Sequence, residues 1–295
     1  MERNSAQAGM LCAFGAFCLW GFIPVYFKTL DAVPPLEVLG HRAIWSSLLL
    51  ILVMAVTGKL KDMLAVMKHP KMMGMLVLSS ALIATNWGVF IWGVVNDRIL
   101  ETSLGYYINP LINVCFGFLF LGERLNRTQS LAIGLAVVAV CLQIYQLGSV
   151  PWVAFVLAFS FGFYGLVRKQ LNVPAATGLA VETLVMLPMA LGYLYWLWQN
   201  NANSFRLDTP DPSVLLMMAG VFTTVPLILF NLAARRLSLT VLGVMQYLGP
   251  SISFAVGVLV YNEPLGQEQI QTFSLIWLAL AIFTADGVYR QKKAL

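Results

Sequence analysis

The stretches YYINPLINVCFGFLFLGERL (106–125) and QYLGPSISFAVGVLVYNEPL (246–265) lie 140 residues apart and repeat one another. Tyr107, Pro110, Ile112, Gly117, Leu119, Glu123 and Leu125 return as Tyr247, Pro250, Ile252, Gly257, Leu259, Glu263 and Leu265. Each stretch is an apolar run ending in a glutamate. The same offset sets Lys28 opposite Arg168, Val33-Pro34 opposite Val173-Pro174, Phe90 opposite Phe230 and Gln129 opposite Gln269. Arg42 falls opposite Glu182. The chain is a duplication.

Composition names the solvent. Hydrophobic residues make up 59% of the chain and charged residues 11%, with a mean hydropathy of +0.80. Soluble domains carry about 25% charged residues, so a bilayer is the medium that fits, and about 20 apolar residues cross it as a helix. Apolar runs at 8–27, 36–57, 72–95, 102–121, 128–147, 150–168, 175–198, 213–233, 240–261 and 269–289 read as ten spans. The first is expected to be a retained span and not a signal peptide, since no small-residue cleavage site follows it. Connections are short except the polar 199–212 (QNNANSFRLDTPDP). The pI of about 9.1 does not indicate nucleic acid, because the cations are dispersed between apolar runs.

Those cations sort by side. With the N-terminus inside, 14 fall on the cytoplasmic side (Arg3, Lys59, Lys61, Lys68, Lys71, Arg124, Arg127, Arg168, Lys169, Arg235, Arg236, Arg290, Lys292, Lys293). Three (Lys28, Arg98, Arg206) fall opposite, and Arg42 falls within a span. That asymmetry predicts both termini cytoplasmic. Five spans per half is an odd number, so the halves enter the membrane inverted. Inverted repeats are the architecture of many secondary transporters, which hold substrate near mid-membrane at the repeat interface.

The LGERL and YNEPL endings and the five-plus-five duplication resemble the EamA family of the drug/metabolite transporter superfamily. LWGFIPVYFK (19–28), HRAIWS (41–46), NWGVFIW (86–92), ETSLGYYINPLIN (101–113) and FYGLVRK (163–169) are similar to its RarD branch, named for a chloramphenicol-sensitivity phenotype. The resemblance covers nearly the whole chain. It implies an all-α integral membrane protein of two EamA-like five-helix repeats, 1–147 and 148–295, in the bacterial inner membrane. It also implies a substrate between spans four and nine, with spans one, three, six and eight closing the cavity.

Polar side chains in hydrocarbon tend to face protein or water-filled space. Tyr106, Asn109, Asn113 and Gly117 lie at i, i+3, i+7 and i+11, one helical face. Gln246, Gly249, Ser253 and Gly257 repeat that stripe. Cavity lining by Tyr106, Asn109, Asn113 and Gln246 competes with tight helix packing, in which amides bond across helices. Trp20, Asn86, Trp87, Tyr164 and Tyr247 are further candidate walls, whereas Trp152, Trp196 and Trp198 sit near span ends as an interfacial belt. Pro110 and Pro250 each remove a backbone hydrogen bond and predict a kink.

Arg42 is a candidate for holding an anionic group, against an interfacial cluster with Glu37 and His41 in which it snorkels outward. His41, which titrates near neutrality, and Glu182 are candidate proton carriers. Burial favours the neutral form of a carboxylate, the property a proton carrier needs. A structural hydrogen bond, or pairing with Arg168 or Lys169, is the alternative for Glu182. Glu123 and Glu263 read as anchors of helix ends, and Asp286 as the partner of Arg290. Cys12, Cys18, Cys115 and Cys141 form no ligand-spaced group and read as small buried hydrophobes.

No GxxxxGK[ST], HExxH or GxSxG sequence occurs. No cofactor, metal or enzymatic activity is expected. The expected function is a secondary active transporter, an exporter of a small amphipathic or aromatic solute working by alternating access with proton coupling. The alternative is an integral-membrane enzyme, or a channel or scramblase, acting on lipid-like substrates. Expected partners are the solute, protons and membrane lipids, with no nucleic acid. The charge-poor spans five and ten permit a homodimer seam.

Overall fold

The computed structural model describes residues 2–96, 98–147, 150–206, 210–261 and 267–293. Those residues are helical with no strand. The helices are α1 (Glu2–Lys28), α2 (Pro35–Val56), α3 (Leu60–Lys68), α4 (Pro70–Val95), α5 (Ile99–Leu121) and α6 (Arg127–Leu147). The second half follows with α7 (Trp152–Gln170), α8 (Ala175–Gln199), α9 (Pro210–Ala234), α10 (Leu239–Gln246), α11 (Leu248–Leu259) and α12 (Gln267–Lys293). Ten segments are long and apolar enough to span a membrane, with α10 and α11 together forming the ninth. Helices suit that solvent because each satisfies its own backbone polar groups.

Exchanging the halves keeps the main helix pairings, though not the closeness of each. α1 packs on α9 and α11, as α7 packs on α4 and α5. α2 meets α9 as α8 meets α4, while α2–α8, α5–α10 and α6–α12 pair across the axis. Two close helix approaches fall on the repeat mates Ile252 and Ile112. A Cβ on Gly21 would stand 2.6 Å from Ile252, and one on Gly162 would stand 2.6 Å from Ile112. Small residues let helices touch where lipid supplies no hydrophobic drive for association.

Two local features depart from the sequence expectations, and the paired prolines differ from each other. The connection after the second span, read as short, holds the amphipathic α3, which buries Met63. The two prolines act differently: α5 runs unbroken through Pro110, whereas span nine breaks at Tyr247. The Pro250 ring crowds the carbonyl four residues back, which belongs to Gln246, the last residue of α10. Cys115 and Cys141 are exposed on the outer surface and not buried; all four cysteines are free.

The halves are clasped by acids of the first half on backbone N–H groups of the second. Gly122, at φ +67°, ends α5 in the left-handed conformation that glycine tolerates. The chain turns there, and the Glu123 carboxylate accepts from Leu239 N (2.7 Å) and Thr240 N (2.9 Å), the first turn of α10. Glu101 accepts from Val153 N (3.2 Å) at the start of α7 and from Arg98 (2.9 Å). Helix N-termini favour anions. Glu123 is therefore an anchor, whereas its mate Glu263, with Leu265, lies outside the described residues. Asp286 accepts from Asn126 (2.7 Å); the Arg290 side chain lies outside the description.

α2 and α9 touch so closely at Gly220 that an added Cβ would meet Trp45 and the Ser46 backbone at 2.6–2.9 Å. Gly220→Ala is expected to destabilise the protein by about 1–3 kcal/mol, the usual cost of overpacking. Gly134→Ala, which meets nothing within 4 Å, serves as the control. Apparent melting in detergent should fall for the first and hold for the second.

Candidate functional site

The candidate residues separate by depth. Connections 29–34 and 200–206 mark one end of the bundle, which we call cation-poor after Lys28, Arg98 and Arg206. The cation-rich end carries α3 and the turns at 122–126, 171–174 and 235–238. Along α4, residues 86–90 near the cation-poor end are all half-buried. Leu76, Ser79, Ser80 and Ile83, toward the other end, are buried. The helices part at one end and close at the other.

In the parted half stand Arg42, Trp87 and Tyr106. Arg42 donates Nε–H to Thr223 Oγ1 (2.9 Å) on α9 and lays its guanidinium over Trp87 at 4.5 Å, with Phe27 at 5.8 Å. It does not snorkel outward; the Trp87 face and Thr223 hold it inside. Tyr106 and Tyr26 are within electrostatic reach of its charge. Tyr106 is 48% exposed although Asn109 and Asn113 on its helix face are buried. Its ring therefore borders interior space, with Phe90 edge-on at 6.0 Å. Thr223, Phe27 and Phe90 carry no signal in the sequence that separates them from packing residues.

Deeper, Trp20 packs on Phe17, Phe161 and Phe230 with ring centroids 5.7–5.8 Å from Trp20 for each of the first two and the last. Tyr164 stacks beside Phe230 at 6.2 Å. These rings form an apolar floor. Asn86 braces it from the side, donating to Leu157 O (2.8 Å) and Ser160 Oγ (3.1 Å) on α7.

Beyond that floor the charged groups are sealed. Arg168 and Glu182 are each 1% exposed and form an ion pair at 3.4 Å. Ser79 of α4 donates to Glu182 Oε1 (2.5 Å), and Ser80 donates to its backbone carbonyl (2.9 Å). Tyr164 donates to Oε2 (3.3 Å) and accepts from Asn231 of α9 (2.9 Å). Arg168, counted by sequence among the loop cations, is thus a core residue. Nearby, Lys169 donates to the carbonyls of Ala234 and Leu237. A buried carboxylate facing a guanidinium is stabilised only because hydrogen bonds complete its shell. Glu182 is the centre of a four-helix knot.

Other candidates brace the fold. Asn113 donates to Gln246 (2.8 Å) across α5 and α10, both buried. Tyr247 donates to Tyr107 O (3.1 Å) inside the separate cluster formed with α6 and α12, so it is not a wall of the cleft. Asn109 is buried with its carbonyl oxygen unpartnered. His41 faces away from Arg42, as adjacent helical residues do. It accepts from Trp45 Nε1 (3.2 Å), stacks on Phe205 (5.0 Å) and lies 3.9 Å from Glu37. Glu37 in turn accepts from Ser204 N (2.6 Å) and Phe205 N (3.3 Å), pinning the polar loop. Among the described residues no His/Cys/Asp/Glu group is spaced to hold a metal.

Comparison with known proteins agrees with this architecture. The EamA-like transporter family is matched over residues 7–145 and 149–285. The chain is 46% identical to an uncharacterized transporter of Vibrio cholerae, covering 97% of this chain and 95% of that one. It is 44% identical to Protein RarD of Salmonella typhimurium, over 99% and 100%. A protein of known crystal structure shares the fold with a TM-score of 0.73 at 17% identity, over 93% of this chain and 96% of that one. With ten apolar helices and bacterial relatives along its whole length, the chain is a multi-pass protein of the bacterial inner membrane. It belongs to the EamA-like transporter family, in its RarD branch.

Proposed function

We propose that the chain is a secondary carrier that exports a small amphipathic or aromatic solute by alternating access. One observation carries the reading. Arg42 and Glu182 are repeat mates, each the eighth residue of its helix, α2 or α8, and those helices run in opposite directions. Arg42 stands in the parted half, and Glu182 is locked in the closed half. A pseudo-twofold exchange that parts the closed end and closes the parted one moves access from one side to the other. The cation bias sets the closed end in the cytoplasm.

In this scheme the Glu182 knot is the latch of the cytoplasmic end. A proton on Glu182 removes the charge that holds Arg168, which loosens α7 and α8 from α4. Proton entry and solute release are then alternatives at one latch, which couples the two. His41, pinned against Phe205 and Trp45, orders the external loop and takes no part in this step.

Purified protein in liposomes, screened with labelled metabolites with and without a pH gradient, tests the carrier. Saturable flux driven by the gradient is the expected result; unsaturable conductance or no flux removes it. Glu182→Gln keeps the hydrogen-bonding shape without a titrating group and should leave flux insensitive to the gradient. Flux that still follows the gradient reassigns the coupling. Glu182→Ala strands a buried guanidinium and should cost about 3–5 kcal/mol of stability, read as an earlier melt in detergent.

A further inference from the structure

The cleft holds a cation that nothing in the protein neutralises. Among the described residues no carboxylate lies within ion-pair distance of Arg42. Its Nε is used by Thr223, but among the described residues neither Nη has a hydrogen-bond partner. They differ from Arg168 Nη1, which is enclosed without one; the Arg42 Nη atoms reach open space. Four N–H groups of a guanidinium held beside the Trp87 and Phe27 rings are thus left without a partner among the described residues. Trp87 holds one face of the fork and Thr223 its base, so the orientation is set before any ligand arrives. A planar fork with free Nη groups matches a carboxylate in bidentate geometry.

Three of the described acids narrow the ligand further. Glu37 is fully buried beneath the 203–206 loop, and Glu101 is bound to Arg98 and Val153 N. Glu182 lies beyond the aromatic floor, paired with Arg168. Among the described residues, a ligand ammonium beside Arg42 would meet a guanidinium and no carboxylate in ion-pair contact with it. An amino acid would bring a charge that this site repels.

We propose that Arg42 is the anion-binding element of the cleft and that its ligand is a small organic monocarboxylate with a planar or apolar body and no amino group. This rests on the carrier reading only in taking the cleft as the solute site. The carboxylate takes the two free Nη groups, while the body lies against Tyr106 and Phe90. Neutralising Arg42 lowers the cost of desolvating it when the cleft closes, which ties closure to the presence of an anion.

Three probes of one skeleton test this by isothermal titration of the full chain in detergent: hydrocinnamate, phenylalanine and hydrocinnamyl alcohol. Hydrocinnamate should bind at least about tenfold more tightly than the other two, because the alcohol lacks the charge-assisted hydrogen bond pair and phenylalanine brings an ammonium that the guanidinium repels. Arg42→Gln should abolish that preference, and Arg42→Lys, which keeps the charge and loses the fork, should weaken hydrocinnamate by about tenfold. The Lys variant carries the test if the Gln variant does not fold. Equal binding of the three probes, preference for phenylalanine, undiminished binding in both variants, or no binding of hydrocinnamate at millimolar concentration overturns the proposal. Arg42-dependent binding without liposome flux keeps this site and removes the carrier. Saturable flux of a neutral solute that Arg42→Gln leaves unchanged keeps the carrier and removes this site.

Discussion

A carboxyl group buried among apolar helices is stable only if the protein itself replaces water, and Glu182 meets that condition with residues of three other helices. Ser79 comes from α4, Arg168 and Tyr164 from α7, and Asn231 of α9 supports Tyr164. One of these helices belongs to the first half and the others to the second. The knot therefore closes one end of the bundle and joins the halves at once. The knot is held by an ion pair and hydrogen bonds, whereas the floor above it is held by packed rings.

The other acids of the first half do different work. Glu101 and Glu123 accept from the opening turns of α7 and α10, and Glu37 holds the loop before α9. Backbone N–H groups at helix starts have no partner within the helix, so these carboxylates meet an existing need. They fix how the halves dock without placing a charge in the path of a solute. Arg42, by contrast, has no ion pair among the described residues, and its fork is held by Trp87 and Thr223.

The stripe of Tyr106, Asn109 and Asn113 was legible as one face of one helix, but not as one environment. Tyr106 borders the cleft, Asn109 is buried, and Asn113 is consumed by Gln246. Periodicity reports direction around a helix axis, whereas exposure depends on how far the neighbouring helix stands away at that level. The paired prolines show the same limit. Equal residues at equivalent positions gave an unbroken α5 and a broken ninth span, because the surroundings of each decide how a freed carbonyl is accommodated. Thr223 and Phe90 were not legible, since a threonine or phenylalanine in an apolar span is ordinary until its neighbour is known.

The sequence by itself determined the solvent, the number of spans, the duplication and its inversion. Those follow from composition, from runs of a fixed length and from an odd count, all of which are one-dimensional. Tertiary structure alone decided which charges are paired. Arg168 and Glu182 are fourteen positions apart and on different helices, and Arg42 finds a hydroxyl on α9 with no acid beside it. Coulomb energy depends on distance and burial, and neither exists until the helices have packed. The opening repeat thus announced two halves, while the packing of those halves decided that Glu182 is paired with a guanidinium and that Arg42, among the described residues, is paired with no acid.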